Sequence, residues 1–75
     1  MLSSKKLIKE INSLKEEMKQ LESKRSRSMA SILESLISHT EPNQTDVQFF
    51  RTFSAEIEVK REHLQRLIQQ VEQQN

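Results

Sequence analysis

The chain has no cysteine, no glycine, no tryptophan or tyrosine, and a single proline, Pro42. Without cysteine there is no disulfide and no thiolate nucleophile or metal ligand. Without glycine, the phosphate-cradling loops that need backbone at positive φ are almost excluded. No uninterrupted apolar run exceeds two residues, so a membrane-spanning helix is not expected. The opening "MLSSKKLIKE" lacks the apolar centre of a secretory signal, and its Glu10 and lack of arginine argue against a transit peptide. A cytoplasmic location is the resulting expectation.

The chain is rich in the good helix formers Leu, Lys, Glu, Gln, Met and Arg. Only a third of its 75 residues are apolar. A chain this short buries about 60% of its unfolded surface and is marginal alone. That composition suits one domain of long helices that gain stability by associating. The net charge of +1 is unevenly spread, with a basic first third and an acidic remainder. Two oppositely charged halves attract each other, which favours a chain folded back on itself. A near-neutral balance is weak support for nucleic-acid binding.

Leu7, Ile11, Leu14, Met18 and Leu21 alternate steps of four and three, a heptad seam about 80° wide. Met29, Ile32, Leu33, Leu36 and Ile37 resume the pattern over about 140°, too wide for one facing helix. Pro42 disfavours helix at Glu41, and Thr45 with Gln48 forms a T-x-x-Q capping box. The sequence therefore predicts an all-α fold: helix 3–38, loop 39–45, helix 46–73, packed as an antiparallel coiled-coil hairpin. Folding at a loop centred near residue 43 sets Leu36 against Phe50, Leu33 against Phe53, Met29 against Ile57, Met18 against Leu67 or Ile68, and Leu14 or Lys15 against Val71.

Between the two apolar stretches of the first helix lies "LESKRSRSMAS", Leu21 to Ser31, with nothing apolar from Glu22 to Ser28. It could be a linker, a short basic signal or kinase site, a nucleic-acid contact, or a polar layer. It has none of the Gly or Pro of a linker, and "KRSR" is too short to be specific. The fold-back places Arg25 opposite Lys60 and Arg61, where the second apolar line is also interrupted. A polar layer that sets register is the expectation, with the steps Leu21, Arg25, Met29 resembling a four-residue stutter.

Catalytic and metal chemistry find no footing. His39 and His63 are the only histidines and are expected far apart, with His39 a surface residue at a helix C-terminus. No nucleophile elbow and no E-x-x-H motif is present. The expectation is a non-enzymatic chain without cofactor, metal or small-molecule ligand. Phe49, Phe50 and Phe53 gather all the aromatics near the loop. With Ile32, Leu33, Leu36 and Ile37 they present more apolar surface than one facing helix can cover. That predicts association through the hairpin tip, either as a dimer forming a four-helix bundle or with a helical protein partner. The role would be that of an adaptor, regulator, assembly subunit or chaperone-like partner. The alternative is a small dimeric bundle that binds RNA through Lys5, Lys9, Lys24, Arg25 and Arg27, diluted by Glu10, Glu16 and Glu17. Steep loss of affinity with salt would distinguish it.

Overall fold

The computed structural model describes residues 4–73. Two helices account for nearly all of it: α1 (Ser4–Ile37) and α2 (Gln44–Gln73). They pack side by side in a rod 55 × 16 × 14 Å. The expected first helical residue, Ser3, lies outside the described residues.

The helices run antiparallel, and three contacts fix their register. Glu17 meets Lys60, Lys24 meets Phe53, and Ser31 meets Asp46. Seven residues up α1 correspond to seven down α2. One contact thus recurs per heptad, always between the same two sides of the helices. Every residue of the heptad line Leu7, Ile11, Leu14, Met18, Leu21, Arg25, Ser28, Ile32, Ser35 is buried or half-buried. The same holds on α2 for Asp46, Phe50, Phe53, Ile57, Lys60, Leu64, Leu67 and Val71. Leu7, Leu14 and Leu67 form the buried cluster at the end away from the loop, with Ile11, Leu64 and Val71 packed on it.

This register differs from the sequence-based alignment by about one heptad. Arg25 lies at the level of Phe53, not of Lys60 and Arg61, and Met29 does not face Ile57. Lys60 instead reaches Glu17, two turns nearer the open end. The loop explains much of the shift. Helix α2 starts two residues earlier than its capping box suggests, because Asn43 is the N-cap. Its side-chain Oδ1 accepts the Thr45 amide at 2.7 Å, and its carbonyl accepts the Val47 amide at 3.1 Å. Thr45 and Gln48 therefore sit inside the helix. The shorter loop brings the helices together closer to the fold-back. The slip also separates Arg25 from Lys60, two cations that the other register would oppose.

The seam through "LESKRSRSMAS" is continuous, without the stutter. Ser28, not Met29, takes the buried position, at 7% exposure. Its level falls between Phe53 and Asp46, where α2 presents Phe50. A small residue on α1 accommodates a large ring on α2, so the heptad spacing persists without local unwinding. The Ser28 hydroxyl is satisfied by donating to the Lys24 carbonyl one turn back, at 3.3 Å.

The end of α1 is closed by a Schellman motif. The Thr40 amide bonds to the Ser35 carbonyl at 2.9 Å and the His39 amide to the Leu36 carbonyl at 3.2 Å. This requires His39 in the left-handed region, at φ 58°. A side chain with a Cβ costs about 1–2 kcal/mol there. His39→Gly is therefore expected to stabilise the hairpin by about 1 kcal/mol. Thermal unfolding checks this, and a lowered midpoint would show that the imidazole has a stabilising role.

Candidate interaction surface

The seam divides the surface of the rod into two flanks. One carries Glu17, Lys24 and Ser31, the α1 partners in the register contacts. The other carries Met29 and Leu33. At 100° per residue, Leu33 points about 180° away from Lys24 around α1.

The expected tip face falls on both flanks. Phe49, half exposed, stacks on Phe53 with centroids 5.7 Å apart, and Lys24 Nζ lies 6.0 Å from the Phe53 ring centre. These three belong to the first flank. Leu33 and Phe50 belong to the second, where they line a recess of about 420 Å³ with Arg25, Ser26, Met29 and Ala30. Ile32 is half-buried in the seam. Leu36 and Ile37, 55% and 79% exposed, lie past the start of α2. Since Ser31 already meets the third residue of α2, little but the loop remains opposite them.

Polar residues hold the register without forming one layer. Lys60 is half-buried and donates to Glu17 Oε2 at 3.0 Å. Both side chains keep solvent contact, so the pair contributes about 0–1 kcal/mol. Its value lies in specifying the level. Arg61 is exposed and pairs, among the described residues, only with Glu58, at 3.8 Å on its own helix. Arg25 is half-buried in the seam and has no acidic partner among the described residues. The Ser31 hydroxyl donates to Asp46 Oδ2 at 2.6 Å, a charge-assisted bond between helices. Of these contacts, Glu17 and Ser31 do not stand out in the sequence. Their signal was only their seven-residue spacing against Lys60, Phe53 and one another.

The basic residues considered for RNA do not form one patch. Lys5, Lys9 and Arg27 share the outer side of α1, but Arg27 is five turns from Lys9. Lys24 lies over a ring and Arg25 in the seam. Among the described residues no group of three or more His, Cys, Asp or Glu could hold a metal ion. No helix among them is long and apolar enough to cross a membrane. The chain matches no protein-family model, no curated protein and no solved structure.

Proposed function

We propose that the chain is a non-enzymatic interaction module that associates with a second copy into a four-helix bundle, serving as an adaptor, regulator, assembly subunit or chaperone-like partner. One observation carries this reading. Leu33, Leu36, Ile37 and Phe49 crowd the loop end of a two-helix rod and stay about half exposed or more. Each apolar side chain of that size gains about 1.5–3 kcal/mol when fully buried. Each is already partly buried, so about half of that remains to be gained, and four together reach about 3–6 kcal/mol, a large share of the stability of so small a domain. A coiled-coil seam two residues wide cannot cover them, and two more helices laid on one flank can cover Leu33 and Leu36.

Sedimentation equilibrium tests the reading. The 8.9 kDa chain is expected to sediment at twice its mass at tens of micromolar. Leu33→Glu with Leu36→Glu is expected to return it to monomer while leaving the seam untouched. A folded monomeric wild type would overturn self-association and leave the exposed side chains to a heterologous partner.

A further inference from the structure

We propose that the two copies pack flank to flank with antiparallel hairpins, the loop end of each against the open end of the other, through the surface bearing Ile8, Met29, Leu36, Val47 and Ile68. This rests on the self-association reading and gives it a geometry. Ile8, Lys15, Glu22, Met29 and Leu36 follow one another at seven-residue steps along α1. On α2 the matching line is Val47, Ser54, Arg61 and Ile68, each about one turn before the seam residues Phe50, Ile57, Leu64 and Val71. These lines border the Leu33 flank. Along its length that flank reads apolar, charged, apolar. At the open end Ile8 and Ile68 are 50% and 40% exposed, and at the loop end Leu33 and Leu36 are half exposed. Two recesses open on it, one beside Met29, Leu33 and Phe50, the other at mid-length between Lys15, Met18, Glu22 and Leu64.

Two arrangements with two-fold symmetry can lay this flank on itself. With hairpins parallel, α1 covers α2 of the second copy at the same level. Apolar ends then meet apolar ends, but Lys15 meets Arg61 of the second copy, twice. With hairpins antiparallel, α1 covers α1 and α2 covers α2. A two-fold axis midway between Lys15 and Glu22 brings Ile8 to Met29 of the second copy. It also brings Lys15 to Glu22 of the second copy, and by symmetry the reverse. The same axis crosses α2 between Ser54 and Arg61, within about a residue of that level, and brings Ile68 to Val47. Both arrangements cover Ile8, Met29, Val47 and Ile68, and the charges favour the antiparallel one. A flank 55 Å long and 16 Å wide offers a footprint on the order of 800–900 Å² per copy, the size of a standard stable interface.

Charge exchange and cross-linking test this. Lys15→Glu and Glu22→Lys should each weaken dimerisation about tenfold, through two symmetric contacts, and the double exchange should restore it. Ile8→Glu and Ile68→Glu should give helical monomers, while Phe49→Glu, on the other flank, should remain dimeric. The chain has no cysteine of its own. Ile8→Cys chains mixed with Met29→Cys chains should therefore form a mixed disulfide. Efficient pairing of Ile8→Cys with Ile68→Cys between chains instead would establish the parallel arrangement and overturn the proposal. Dissociation by Phe49→Glu but not by Ile8→Glu would overturn this flank while leaving self-association intact. A monomeric wild type would overturn both.

Discussion

Leu14→Ala, and equally Leu67→Ala, is expected to abolish cooperative unfolding near room temperature or to lower its midpoint sharply. The two leucines are 5% and 4% exposed, in a buried cluster with Leu7 and the half-buried Ile11, Leu64 and Val71. Truncating a buried leucine costs about 2–5 kcal/mol, because the transfer energy is lost and a cavity remains. A 75-residue chain has in total about 4–11 kcal/mol of stability. One substitution therefore removes a large share of it. Val59→Ala, at a position 65% exposed, is expected to stay within about 0.5 kcal/mol of the parent. Thermal unfolding followed by far-ultraviolet circular dichroism separates the two cases. A loss below about 1 kcal/mol for Leu14→Ala would mean that the open end is not the core.

Ser26→Pro is expected to cost about 3 kcal/mol or more, although the Ser26 side chain is exposed. The effect is entirely one of backbone. Proline removes the amide that bonds one turn back and drives its ring into the preceding turn. Helix α1 runs unbroken through Ser26, in the middle of "LESKRSRSMAS". A linker at that place would tolerate proline, just as the loop already contains Pro42. Loss of helical signal well beyond the residues nearest position 26 is the expected result. A variant as stable and as helical as the parent would show that the stretch is not a helix in solution.

The helices and the loop were legible in the sequence because their signals are local. Two heptad lines and a proline between them specify two helices and a break. Register was not legible in the same way. A heptad pattern slid by seven residues meets its partner in the same alternation of steps, so Leu21 can face Ile57 or Leu64 without breaking the periodicity. Only the polar residues in and beside the seam tell the two apart, and of these Glu17 reads as ordinary surface charge. Apolar character alone favours Met29 over Ser28 for the buried position. Opposite a phenylalanine, size decides instead. Half of the exposed surface was legible from the width of the apolar face after Met29. The Ile8 and Ile68 end was not, although a signal was present. Leu7-Ile8 and Leu67-Ile68, like Ile32-Leu33 and Phe49-Phe50, are apolar doublets. Neighbours on a helix point about 100° apart, so a narrow seam cannot bury both members.

The register decides which side chains share a flank, and so where a second copy can pack. Intrachain disulfide trapping measures it directly, because the chain has no cysteine of its own. Ser31 and Asp46 have short side chains in contact at 2.6 Å. Ser31→Cys with Asp46→Cys should oxidise rapidly to a monomeric disulfide at high dilution. Ser31→Cys with Phe53→Cys, the pair favoured by a register slipped one heptad, should stay reduced under the same conditions. Preferential closure of the second pair would contradict the register and the flank composition built on it.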